Sequence, residues 1–135
     1  MRGFAKPATL RQIARMSRLS IRVDLPDVGS IGPGKIRLLE LVAETGSIRQ
    51  AGLALEMSYA RAWGLIRELN DMFGAPVVEA SAGGKSGGGA SLTALGLKLV
   101  TLYRAIERKA DQAAREDFTA LRKLARRVPV KSGSH

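Results

Sequence analysis

Apolar residues recur at helical spacing through the middle of the chain, and the two clearest sets follow one another directly. Ile48, Ala51, Gly52 and Leu55 keep the i, i+3, i+4, i+7 spacing of one helical face. Ser47 precedes them and stands three residues before Gln50, the S-x-x-Q arrangement of a capping box, which marks a helix start. Met57 then reads as a buried plug in a three-residue break, and Ser58 as the cap of a second helix. In that second helix Ala62, Leu65, Ile66, Leu69 and Phe73 line one side, while Ala60, Trp63, Gly64 and Arg67 face away from the stripe or flank it. A short helix, a tight break and a helix with a small outer face predict a helix-turn-helix. The periodicity alone fits an ordinary αα-hairpin equally well.

The flanking patterns extend the picture. Residues from Pro7 to Leu19 place Leu10, Ile13 and Met16 against Arg11, Arg15 and Arg18, a short basic amphipathic helix, after a disordered start over residues 1–6. Ile21 to Leu25 alternates strictly, the period of a half-buried strand, and Pro26 to Gly32 reads as a loop. Pro33 suits the first turn of a helix that buries Ile36, Leu38, Leu39, Val42 and Ala43, supports the next two from behind and stops at Gly46. After Phe73, Gly74 and Pro76 end helicity. Residues 77–82 can pair with residues 90–93 across a glycine-rich loop, and a hairpin placed directly after such a helix is a wing. Two strands alone are marginal in water, so Ile21–Leu25 is the expected third. Thr93 caps a long final helix whose Leu95, Leu99, Leu102 and Ile106 make a heptad-like seam, read as a dimer contact. Glu116 to Val128 continues it or forms a separate basic helix, and Pro129 ends order.

These elements predict a mainly α fold with a small β-sheet: a winged helix-turn-helix with a long C-terminal dimerisation helix. The expected divisions are a basic N-terminal extension over 1–19, the DNA-binding domain over 20–93, the dimerisation and basic helices over 94–128, and a tail over 129–135. The 135 residues are 45% hydrophobic, enough for a folded core. There is no cysteine, which removes disulfides and thiolate chemistry and fits a cytoplasmic protein. No apolar run is long enough to span a membrane, and the basic N-terminus lacks the apolar stretch of a signal peptide.

The net charge of +10 points to a polyanionic partner, but the charge is uneven. Residues 1–37 carry +6, residues 38–96 carry −2 and residues 97–135 carry +6. The helix-turn-helix therefore lies in the acidic part, where a few placed cations would have to do the reading. Tyr59 and Arg61 can reach phosphates or base edges, Arg67 lies further along the outer face, and Arg49 suits a phosphate. Trp63 is either packed against the domain or turned towards the groove.

Other chemistry is nearly absent. Gly84-Lys85-Ser86 matches the end of a P-loop, but Glu79 stands where its first glycine belongs, and a strand follows in place of a helix. The loop is instead a flexible tip, or one whose glycines let the main chain approach a phosphate backbone, with Lys85 at its apex. The single histidine is His135, so no triad or histidine metal site can be assembled, and Glu40, Glu44, Glu107 and Asp111 read as solvated surface. An enzyme is not expected.

The strings G-S-I-R-Q-A (46–51), S-Y-A-R-A-W (58–63), G-G-K-S-G-G-G (83–89) and L-T-A-L-G (92–96) resemble the N-terminal domain of the ModE family of molybdate-responsive bacterial regulators, from about residue 20 to residue 115. The first part is also similar to LysR-type regulators, but the polyglycine wing and the stretch of some 35 residues before the first helix favour ModE. The resemblance implies a homodimer on a palindromic DNA operator, with half-sites about 34 Å apart. It also implies repression linked to molybdenum uptake or use. Ser58, Tyr59, Arg61, Trp63 and Arg67 would enter or flank the major groove, Arg49 would hold phosphate, and Gly84 and Lys85 would touch the backbone. Ala60 and Ala80 stand where the family carries basic residues. No stretch resembles the family's oxyanion-binding domains, so no cofactor is expected. The alternatives are a dimeric protein-interaction module and a non-specific DNA-binding protein.

Overall fold

Residues 19–81 and 89–125 are described by the computed structural model of the chain. The basic helix expected from Pro7, and the loop carrying Gly84 and Lys85, fall outside them. Among the described residues the element order is β1 (Val23–Leu25), β2 (Gly29–Ile31), α1 (Pro33–Thr45), α2 (Ile48–Ala54), α3 (Tyr59–Phe73), β3 (Val78–Ser81), β4 (Gly89–Leu92), α4 (Ala94–Ala113) and α5 (Arg115–Leu124). Ser20–Arg108 form one compact unit, and the chain from Lys109 belongs to a second. The expected mainly α fold with a winged helix-turn-helix is the one found.

α1 is the centre of the unit and not a support behind it. Ile36, Leu38, Leu39 and Val42 are wholly buried and Leu41 nearly so, while Ala43, expected inside, is exposed. These positions cover more than half the helix circumference, because α2, α3 and β4 all pack on it. Each fully buried aliphatic chain contributes about 1.5–3 kcal/mol. Pro33 stands in the first turn, and Gly46 closes the helix in the left-handed conformation at φ 71°, its N–H donating to the Val42 carbonyl.

The strand at Val23–Leu25 is real, but its partner is not the wing. It pairs antiparallel with Gly29–Ile31, within the stretch expected to be loop, in the register Val23 to Ile31 and Leu25 to Gly29. Gly29 has φ 152°, and a Cβ there would collide with the Met72 side chain, so only glycine closes this hairpin.

The wing hairpin is β3 on β4, in register Val78 to Leu92 and Ser81 to Gly89, and it has only two strands. Its third partner is a single residue, since the Ala90 N–H donates to the Gly46 carbonyl at 2.8 Å. At the base, Asn70 Oδ1 accepts from the Val77 N–H at 2.8 Å, and the Thr93 N–H donates to the Val77 carbonyl at 3.0 Å. Thr93 Oγ1 donates to the Pro76 carbonyl at 2.8 Å and accepts from the Gly96 N–H at 3.1 Å, which caps α4 as expected. A Cβ on Gly96 would run into the Val77 carbonyl oxygen, so this glycine permits α4 to start so close to β3.

α4 reaches back to α1 and to the start of the unit. The Tyr103 hydroxyl donates to the Ile21 carbonyl at 2.6 Å. Arg104 grips Glu40 with two hydrogen bonds of 2.9 Å each and donates to Glu107 at 2.8 Å. Glu40 also accepts from Arg37 at 3.2 Å. Glu40 and Glu107, expected to be solvated surface, are therefore the two carboxylates of a clamp between helices. The Arg104 hydrogen bonds hold the Glu40 carboxyl below its ordinary value, against the opposing effect of burial.

The expected seam on α4 divides. Leu99 is 8% exposed and buried in the unit's own core, and Leu95 packs partly against that core. Leu102 and Ile106, at 52% and 45%, face solvent. In the second unit, α5 is a separate helix that begins after Ala114.

Gly96→Ala is expected to destabilise the protein by about 3 kcal/mol, because the backbone carbonyl it meets cannot rotate away. Gly64→Ala, where a Cβ meets nothing within 4 Å, should instead stabilise it by roughly 0.5–1 kcal/mol. Thermal melts of the two variants measure both. Glu40, with its folded value depressed, contributes stability that is complete above the unfolded value of 4.5 and is lost as pH falls through the folded one. Glu40→Gln should therefore cost about 1–2 kcal/mol at neutral pH, allowing for partial exposure. Denaturant titrations should show that gap closing below pH 4.5, and a gap that widens in acid would contradict the assignment.

Candidate nucleic-acid interface

The helix-turn-helix is set by three local devices. Ser47 Oγ accepts from the Gln50 N–H at 3.1 Å, giving α2 its start. The other half of the expected capping box is replaced, since the Ser47 N–H donates to Thr45 Oγ1 at 3.2 Å. The turn occupies Leu55 to Ser58, one residue more than expected, with Glu56 in the left-handed conformation at φ 58°. The Met57 N–H donates to the Gly52 carbonyl at 2.9 Å, and Met57 is half-buried. Gly52 and Ala62 permit the close crossing of α2 and α3, a Cβ on Gly52 coming within 3.2 Å of the Ala62 Cβ. Ser58 Oγ accepts from the Arg61 N–H at 3.0 Å, so Ser58 starts α3 as its cap.

α3 buries Ala62, Ile66 and Leu69 and turns a different set outward. Tyr59, Ala60, Trp63 and Arg67 line one shallow, mostly open surface. Arg61 is exposed but is not part of it. At about 100° per residue it sits roughly 160° around the helix from Trp63. The structure thus brings Tyr59, Trp63 and Arg67 together and sets Arg61 on another side.

Tyr59 is the hub of this surface. The Trp63 Nε1–H donates to the Tyr59 hydroxyl at 2.6 Å, and the Arg49 guanidinium lies over the Tyr59 ring, 4.8 Å from its centroid. Trp63 shows part of both expected placements, packing on the core and lining the open surface. Its indole packs partly against the core, and its N–H is engaged within the helix and not offered outward. Arg49, expected on a phosphate, is drawn onto the recognition surface from α2. That i to i+4 pair on α3 was readable from spacing, whereas the partnership with α2 was not.

Beside this surface a cleft of about 760 Å³ runs between the helix-turn-helix and the wing. Its walls are Thr45–Gln50, Tyr59 with Trp63, and the hairpin residues Val78–Ala80, Gly89 and Ala90. Arg49 is its cation, and Glu79 is the carboxylate among its lining residues. Among the described residues Arg49, Arg61 and Arg67 lie within ion-pair distance of no carboxylate, whereas Arg22, Lys35, Arg37, Arg104 and Arg115 each have one. No group of three or more metal-binding side chains occurs among the described residues. No helix among them is long and apolar enough to cross a membrane.

Residues 34–97 match the family model described as bacterial regulatory helix-turn-helix protein, lysR family. Residues 34–97 carry a lysR-type helix-turn-helix domain, and the chain is similar to proteins of the ModE kind. It is 44% identical over 77 residues to the molybdenum-pterin-binding protein MopB of Rhodobacter capsulatus, covering 57% of this chain and 28% of that protein. It is 37% identical over 92 residues to the molybdenum transport protein ModE of Azotobacter vinelandii, covering 68% and 33%. It is 33% identical over 97 residues to the transcriptional regulator ModE of Haemophilus influenzae, covering 72% and 38%. The chain thus spans about a third of the length of these relatives. Within the matched range lie the cap serines, the Tyr59–Trp63 pair, the wing base and Gly96, the parts that shape the recognition surface.

Proposed function

We propose that this chain is a sequence-specific DNA-binding transcription regulator of ModE type. It would act as a homodimer on a palindromic operator and repress genes linked to molybdenum. The observation that carries the reading is the outer face of α3. It combines two small residues, Ala60 and Gly64, with an ordered aromatic pair and an arginine that no carboxylate neutralises, next to the base of a wing. A face so uncrowded lets the helix axis come close to a groove floor, and the unpaired charges suit phosphates and base edges. The link to molybdenum rests on the printed names of the relatives. The homodimer is supported by Leu102 and Ile106, which lie exposed on α4, as does Leu97.

On this reading Arg61, which lies off the surface lined by Tyr59, Trp63 and Arg67, would meet the phosphate backbone, and base reading would fall to Tyr59 and Arg67. Binding of the full chain to duplexes selected from a random pool, against a random duplex at two salt concentrations, tests this division. Arg61→Ala should weaken specific and random binding alike and reduce the salt slope by roughly one. Arg67→Ala should cost about 1–3 kcal/mol on the selected duplex and much less on the random one. Gly64→Gln, whose Cβ would meet nothing within 4 Å, should melt no lower than the wild type while abolishing selective binding. Retained selectivity in Gly64→Gln would remove the α3 face from the interface.

A further inference from the structure

The bond between Trp63 and Tyr59 does more than order two rings. A phenol oxygen has one proton to give and lone pairs to receive, whereas an indole N–H can only donate. In this pair the Tyr59 oxygen therefore accepts, at 2.6 Å, a short separation for an N–H···O bond. A hydroxyl proton lies near the plane of its ring and turns away from an incoming donor, so the indole N–H sends it to the side facing away from Trp63. Arg49, stacked over the ring at 4.8 Å, keeps that plane from turning. Tyr59 is 43% exposed, and among the described residues no protein acceptor takes its proton. A free tyrosine on a recognition helix would be ambivalent, able to donate or accept. This one has its polarity fixed.

We infer that Trp63 is a positioning residue that makes Tyr59 a one-way hydrogen-bond donor, so that α3 demands an acceptor at this point of its partner. The inference rests on the DNA-binding reading above. In a duplex the shared chemistry is an acceptor atom: a purine N7 or O6, a thymine O4, or a phosphate oxygen. The cytosine N4 amine, a donor, is refused at that position. Tyr59 is then a specificity-determining residue if the acceptor is on a base, and a register-setting one if it is on a phosphate.

The test uses the full chain and duplexes selected by it from a random pool. Tyr59→Phe should bind the selected duplex about 3–10-fold more weakly, the effect of losing one hydrogen bond. Trp63→Phe should bind more weakly in the wild-type background and show no further loss in the Tyr59→Phe background. Where the acceptor is on a base, its selected sites should also admit cytosine at the position the wild type refuses. Duplexes with single 7-deazapurine, 5-methylpyrimidinone or methylphosphonate replacements locate the acceptor, because Tyr59→Phe costs nothing more where that acceptor is already missing. A base replacement that cancels the Tyr59→Phe effect assigns the acceptor to a base, and a methylphosphonate that does so assigns it to the backbone. Equal loss from Trp63→Phe in both backgrounds would make Trp63 a packing residue only and overturn the inference. So would a Tyr59→Phe protein that binds every duplex as the wild type does. Failure of the wild type to bind any duplex would instead overturn the DNA reading itself, so the two failures are separable.

Discussion

The geometry of the recognition surface depends on how closely the first turn of α4 can approach the carbonyl of Val77. At that point Gly96 has no side chain, Thr93 caps the helix, and the same threonine donates to the carbonyls of Pro76 and Val77. A hairpin of two strands has little stability of its own in water. This one is fixed at its base by Asn70 and Thr93 and along one edge by Gly46, the residue that also ends α1. The wing is thus referenced to the same backbone that starts α2. The cleft between wing and helix-turn-helix is defined by hydrogen bonds to main-chain atoms and not by the packing of a third strand.

A second constraint acts through charge. The segment with the helix-turn-helix carries a net −2, yet its carboxylates are placed so that they do not cancel the useful cations. Glu40 and Glu44 are taken up by Arg37 and Arg104 on the far side of α1, and Glu68 by Lys35. What remains without a carboxylate partner is Arg49 and Arg67 beside Tyr59 and Trp63, with Arg61 on another side of α3. Glu40 and Glu68 fasten helices together, and Arg49, Arg61 and Arg67 lie within ion-pair distance of no carboxylate among the described residues.

Much of this was legible in the chain because it is local. Ser47, Ser58 and Thr93 announce helix starts, Gly46 and Gly74 announce ends, and the 3.6-residue period names the buried faces of α2 and α3. Long-range partners were not legible. Strict alternation over Ile21–Leu25 says that one face is covered but not by what, and its partner Gly29–Ser30–Ile31 has no strand-like composition of its own. The Arg104–Glu40 clamp joins residues 64 apart, and nothing in either neighbourhood signals it. The seam on α4 failed as a single surface for a related reason. Leu99 and Leu102 satisfy the same spacing, but a helix lying on a core buries one flank of such a stripe and exposes the other. The separation of Arg61 from Trp63, by contrast, follows from helical geometry alone. Grouping by proximity in sequence obscured it.

These constraints converge on α3, where selectivity must come from few contacts. On the DNA-binding reading, residues 38–96 carry no excess of positive charge, so binding strength cannot rest on counterion release from a broad basic patch within them. The helix offers a short list of groups in its place, and their directions are already set in the free protein. A tyrosine gripped on its face by Arg49 and at its oxygen by Trp63 loses little freedom when it docks, so more of each contact's energy survives as affinity. Cap serines and a glycine-lined crossing hold the backbone that carries it. The physical logic of the fold is therefore to fix orientation first and to let a small number of oriented groups discriminate.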